Sequence, residues 1–164
     1  MPDARSGDSN GLTQGGSNGD VVVADAFVKQ IPGIDYERAY PLLIRNAEIE
    51  SELPRREGRG GITQFKELGY VSDEHERSGT RQAEYAYRDY AVYQLAARLG
   101  LEAEADLYLQ RPGSWTNLWH KEAADNRLRG ILWPPSADCE WRHTFDPTVL
   151  GSRTSVCSGK PSCQ

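Results

Sequence analysis

The sequence of 164 residues predicts an all-α fold. Apolar residues recur at helical spacing in several separate blocks. Most of those blocks open on a capping-type residue and close on glycine or proline. No series of alternating, strand-like runs accompanies them, and that combination places the chain in the all-α class.

Residues 1–19 are polar and glycine-rich and read as loop. Asp20 then reads as an N-cap, its side-chain oxygen satisfying free amides. Val21, Val22, Ala24, Phe27 and Val28 give the first helix its apolar face, although three consecutive valines also suit a strand. Ile31, Pro32 and Gly33 stop it. Asp35 caps a second helix carrying Tyr36, Ala39, Tyr40, Leu43 and Ala47 at helical spacing. Pro41 lies inside that pattern, lacks an amide donor, and is expected to kink or shorten the helix.

From Glu48 to Gly61 the chain is charged and glycine-containing, an expected exposed loop. Gln64 to Tyr70 reads as one short turn closed by Gly69. The clearest helix follows, capped by Thr80 and running from Ala83 to Gly100. Ala83, Ala86, Tyr87, Tyr90, Ala91 and Leu95 make its broad apolar and aromatic face. Glu84 precedes Arg88 by four residues, the favourable order for an exposed ion pair. A further helix covers about Glu102 to Gln110 and stops at Pro112 and Gly113. Trp115, Leu118 and Trp119 suggest a short amphipathic turn. Beyond Lys121 the regularity fades, and residues from Gly151 to Gln164, nearly devoid of apolar content, read as a disordered tail.

A net charge of −5 argues against a general nucleic-acid binder, which needs a basic face to neutralise phosphates. No apolar run approaches the ~20 residues of a membrane span, and the first residues lack the apolar segment of a signal peptide. Cys139, Cys157 and Cys163 form neither a zinc pattern nor a disulfide framework. They read as three free thiols, with a Cys157–Cys163 pair as the alternative in an exported protein.

No P-loop, HExxH, GxSxG or CxxC motif is present. His75, His120 and His143 lack metal-ligand spacing and read as surface or packing residues. Tyr85, Tyr87, Tyr90 and Tyr93 suit a sugar-stacking groove, but core packing is the ordinary role of such a stripe. Two places stand above this background. The stretch GGSNGDVVVADAF, Gly15 to Phe27, feeds a flexible loop into a helix N-terminus, where unsatisfied amides gather and a ligand can approach closely. Its plainer reading is a solvent loop before a core helix. Ser78, Gly79 and Thr80, running into Glu84, repeat the arrangement. If the two helices run the same way, both polar starts lie on one end of the assembly.

The segments TQGGSNGDVVVADAFVK, GIDYERAYPLLIRNAE, GRGG with LGYV, EYAYRDYAVYQLAARLG, and YLQRPGSWTNLW followed by FDP occur in that order. The ordered set, over about Met1 to Pro147, resembles the catalytic domain of glycoside hydrolase family 92, the calcium-dependent exo-acting α-mannosidases. The resemblance implies an N-terminal β-sandwich followed by an (α/α)6 barrel, of which residues 1–150 match a middle part, with 151–164 as a tail. It implies hydrolysis of terminal α-mannosidic bonds in mannose-containing glycans, with inversion, by an acid and a base facing each other across the bond. Calcium would hold the sugar through oxygen ligands.

The family's acid motif of the Glu-Gly-Asn-Ala-Trp type, its base motif of the Asn-Asp-Asp-x-Gly-Gln type and the accompanying calcium ligands do not occur here. No catalytic or metal-binding residue is therefore assigned, and the chain alone is expected to be inactive. Substrate-side contacts are assigned to Gly15, Gly16, Asn18, Asp20 and Glu84. Full-length members are often secreted. Where the family usually reads Thr-Leu-Glu-Tyr-Ala-Tyr-Asp-Asp, this chain has Ala83 for the leucine and Arg88 for the first aspartate. Incomplete coverage of faces bearing Val22, Phe27, Tyr90 and Leu95 predicts self-association. The non-enzyme alternative is a helical binding or interaction module.

Overall fold

The computed structural model describes residues 18–52, 58–75, 77–124 and 129–141. Among the described residues, five α-helices, a 3-10 helix and a two-stranded hairpin follow one another. They are α1 (Gly19–Val28), α2 (Tyr36–Glu48), α3 (Ile62–Leu68), α4 (Ser78–Arg98), α5 (Glu102–Gln110), the 3-10 helix Arg111–Leu118, β1 (Trp119–Ala124) and β2 (Arg129–Leu132). The chain is mostly helical, but the all-α expectation fails at the hairpin. Trp119 faces Leu132, His120 faces Ile131 and Ala124 faces Arg129 in an antiparallel register interrupted by a bulge. The sequence pattern hides β1 because the bulge breaks its alternation.

Helix starts depart from the sequence expectation more than helix bodies do. In α1, Asp20 lies inside the first turn, fully buried, and Asn18 holds the N-cap position without a side-chain cap bond. In α4 the helix begins at Ser78, before Thr80, with Arg77 as N-cap in a left-handed conformation. Asp35 does cap α2, accepting from the Arg38 amide at 3.0 Å. Pro41 stands within that 13-residue helix without ending it. Glu50 reaches across to accept from the Gly61 amide at 2.7 Å, supplying the start of α3 with an acceptor. Gly61 is left-handed, and a Cβ there would stand 3.0 Å from the His75 ring.

The main core joins Ala24 of α1, Tyr40, Leu43 and Ala47 of α2, Ala91, Val92, Leu95 and Ala96 of α4, and Ala105 and Tyr108 of α5. A second cluster of Ile62, Phe65, Val71 and Tyr85 ties α3 to α4. Gln82 is the polar pin between them and the C-terminal half. It accepts from the Val71 amide at 2.9 Å and donates to the Ser114 hydroxyl at 2.9 Å. Leu95 is fully buried, contrary to the expected uncovered face, and Phe27 packs against the core and edge-on to Tyr36. Val22 and Tyr90 are exposed, as expected.

Tyr87 and Tyr90 point away from the core and, with Ala83, Trp115 and Leu132, line an open apolar groove of about 340 Å³. Ala83 is half-buried beside this groove rather than enclosed, so its small side chain leaves no sealed cavity. Cys139 is held in a disulfide, so the expectation of three free thiols fails there. The expected tail, residues 151–164, and the FDP segment lie outside the described residues.

Candidate functional site

Charged residues sit on the buried stripe of α4. Tyr85, Arg88, Asp89, Val92, Leu95 and Ala96 recur at intervals of three and four and are all buried. A charge in that position must be paired, since an isolated buried charge is very costly. Arg59, fully buried in the loop before α3, provides the pairing. One of its amino groups meets Asp89 Oδ1 at 2.5 Å and the other Asp20 Oδ2 at 3.0 Å. The Asn46 amide of α2 donates to both Asp20 oxygens at 2.9 Å. Both Asp20 oxygens thereby have a donor, and the N-terminal end of α1 is fastened to α2, α4 and the loop before α3 at once.

The chain of alternating charge continues. Arg111 lies 4.0 Å from Asp89 Oδ2 and bonds Glu48 Oε1 at 2.6 Å. Glu48 also accepts from the Tyr108 hydroxyl at 2.6 Å and pairs with Lys66 at 2.8 Å. Burial alone would raise the Glu48 carboxyl, but hydrogen bonds from Arg111, Lys66 and Tyr108 outweigh it and hold it down at about 2. Burial pushes Asp89 upward against the pull of Arg59. Arg59 itself is held cationic: burial works against it, and Asp89 and Asp20 outweigh the burial.

At the N-terminal end of α1 the pattern changes. Arg88 is fully buried, not half of an exposed pair, and Glu84 stands 3.8 Å from it with its own side chain partly in water. The Arg88 guanidinium instead donates from Nε at 3.2 Å and from Nη2 at 2.5 Å to the side-chain oxygen of Asn18. Its Nη1 is buried without a hydrogen-bond partner. Burial, and then the neighbouring Arg59, push this guanidinium down to about 10. Arg59 and Arg88 both lie near the ring of Tyr85, at 5.4 and 5.8 Å from its centroid.

The sequence-derived residues thus meet in part. Asn18, Asp20 and Glu84 gather around Arg88, although 64 residues separate Asp20 from Glu84 in sequence, 84 less 20. Gly15 and Gly16 lie outside the described residues. Asp20 is enclosed and bonded to Asn46 and Arg59. Arg59, Asn46 and Asp89 were missed. Asp89 carried a legible signal, its place on the helical stripe of Tyr85, Val92 and Ala96. Arg59, between glycines in a charged loop, carried none.

Residues 1–161 match the model of the glycosyl hydrolase family 92 catalytic domain. The chain belongs to glycosyl hydrolase family 92. A relative described as an uncharacterized secreted glycosidase, from Arthroderma benhamiae, is 35% identical over 174 residues, spanning 96% of this chain and 22% of its own length. The structure of the family 92 inverting mannosidase BT2199 from Bacteroides thetaiotaomicron superposes with a TM-score of 0.80 at 29% identity, over 96% of this chain and 21% of that one. The family 92 α-mannosidase BT3965 from the same organism gives 0.71 at 28% identity, over 87% and 18%. The chain spans about a fifth of the length of the relatives it matches. Among the described residues no group of three or more His, Cys, Asp or Glu side chains is placed to hold a metal ion. The buried carboxylates Asp20 and Asp89 are committed to Arg59, so they do not fit a calcium site.

Proposed function

We propose that this chain is the substrate-side portion of an (α/α)6 barrel that hydrolyses terminal α-mannosidic bonds of mannose-containing glycans with inversion. The match of residues 1–161 to the family 92 catalytic domain carries this reading. The solved relatives described as an inverting mannosidase and as an α-mannosidase, the latter also in complex with mannoimidazole, support it. Gly15, Gly16, Asn18 and Glu84 are assigned to the sugar, and Asp20 ties the N-terminal end of α1 to Arg59 and Asn46.

Inversion requires two carboxyl groups ~6.5–9.5 Å apart across the scissile bond, one protonating the leaving oxygen and the other activating water. This chain's share of that task is to hold the ends of α1 and α4 in place, not to supply the acid or the base. Calcium, which the resemblance implies, would be bound by residues elsewhere in a complete domain, and no step is assigned to it here.

The test is an assay of an aryl α-mannoside with and without calcium. The expected result is no turnover by the 164-residue chain and inverting hydrolysis when the same segment is part of a complete family 92 domain. Calcium-dependent release of mannose by the chain alone, abolished by Glu84→Gln, overturns the assignment of the chemistry to other segments.

A further inference from the structure

We propose that His120 is a pH-sensitive latch on the β1–β2 hairpin, closed while its ring is neutral and released when the ring takes up a proton. The Ala123 amide donates to His120 Nδ1 at 3.0 Å. A backbone N–H only donates, so the accepting nitrogen carries no hydrogen in this geometry. The ring is therefore neutral, with its hydrogen on Nε2. The bond spans the irregular part of the ladder, between the His120–Ile131 and Ala124–Arg129 pairs, where the register shifts. A bulge disrupts pairing across the ladder, and here the His120 side chain supplies an acceptor at that place.

Two tryptophans hold the half-buried ring from the segment that follows β2. The Trp133 ring lies 5.2 Å from the imidazole and the Trp141 ring 4.7 Å from it. Between them the chain turns back, the Ser136 hydroxyl accepting from the Glu140 amide at 3.1 Å. That turn is pinned to the loop before α4. The Tyr70 hydroxyl donates to the Ser136 carbonyl at 2.9 Å, and the Asp73 amide donates to the Pro135 carbonyl at 3.0 Å. The tryptophans are thus anchored outside the hairpin, and aromatic faces attract a cation. Protonation consequently leaves the ring in place and acts on the bulge, where an Nδ1–H would meet the Ala123 N–H, donor against donor. The charged groups on the surrounding elements are Lys121 and Glu122 of β1, Arg129 of β2, Asp138 and Glu140 before Trp141, and Arg111 of the 3-10 helix, which is bonded to Glu48. Among the described residues none of these forms an ion pair with His120. Release reaches the apolar groove, because Leu132, which faces Trp119 across the hairpin, forms part of its wall.

The test is amide exchange of the full 164-residue chain, corrected for the intrinsic effect of pH on exchange, at about pH 7.5 and about pH 5.5, within the range where histidine side chains change charge. The stabilisation belongs to the neutral ring, so it is present at the higher pH and lost as pH falls. Protection at Ala123 is expected to drop about fivefold, the loss of one ordinary hydrogen bond. His120→Asn keeps a side-chain acceptor three residues before the amide but does not titrate, and is expected to protect Ala123 equally at both values. His120→Phe keeps a ring between the indoles without an acceptor, and is expected to leave Ala123 weakly protected at both. Unchanged protection in the unmodified chain, or the same drop in His120→Asn, overturns the latch. If the variants do not fold, nitrogen-15 spectra of the His120 ring in the unmodified chain decide it. An Nδ1 that is bare at the higher pH and gains a hydrogen at the lower supports the latch. A hydrogen on Nδ1 at the higher pH, or none at the lower, overturns it.

Discussion

Arg59 has two carboxylates, from α1 and α4, on a single guanidinium, and all three side chains are closed to bulk solvent. Removing one partner of a buried ion pair costs far more than the pair gains, because the charge left behind has no solvent. Arg59→Met is therefore expected to destabilise the chain by about 3–5 kcal/mol in urea unfolding. A loss below about 1 kcal/mol would mean that Asp20 and Asp89 find other partners. Glu48 allows a second prediction at this scale. Its folded pKa of about 2 lies below the ordinary value of 4.5, so its contribution is complete above the ordinary value. That contribution is lost as pH falls through the interval toward about 2. The unmodified chain should lose stability between about pH 5 and pH 2, and Glu48→Gln, already weaker at pH 7, should change less across that window. Equal acid slopes for the two proteins would show that Glu48 is not held down by Arg111, Lys66 and Tyr108.

At the scale of elements, caps and glycines set where helices and strands begin. The Asp35 side chain satisfies one of the free amides of α2, and Asp35→Ala is expected to cost about 1 kcal/mol in the same unfolding experiment. In the hairpin, Gly130 is left-handed, and a Cβ there would stand 2.3 Å from the Trp119 ring. Gly130→Ala should therefore displace Trp119 and weaken β1–β2, read as a changed near-ultraviolet circular dichroism of the tryptophans. An unchanged spectrum would mean that the exposed ring moves aside without consequence. The helical bodies of α2, α4 and α5 were legible because their apolar spacing runs over two or more turns. The hairpin was not, because two short runs separated by a bulge do not generate a period.

On the scale of the whole molecule, the groove beside Tyr87 and Tyr90 leaves aromatic surface facing outward, with Tyr87 57% exposed. Contiguous apolar surface of this kind favours association. Sedimentation of the 164-residue chain should show concentration-dependent self-association that the double substitution Tyr87→Ser and Tyr90→Ser reduces. A monodisperse monomer at high concentration would refute this.

The sequence by itself determined the helical character, the order and bodies of the main helices, the cap at Asp35, and the family, through ordered segments spread along the chain. These are local properties, written in spacing and in short runs of residues. Tertiary structure alone decided which charges are enclosed. Arg59 reads as a loop residue, Arg88 as half of an exposed pair and Asp20 as a cap, yet all three are fully buried. Their burial depends on α1, α2, α4 and the loop before α3 meeting at one place, with partners 39 and 30 residues from Arg59 along the chain. No pattern local to any one segment records such a meeting, because the free energy that encloses a charge comes from the countercharge another segment brings to it.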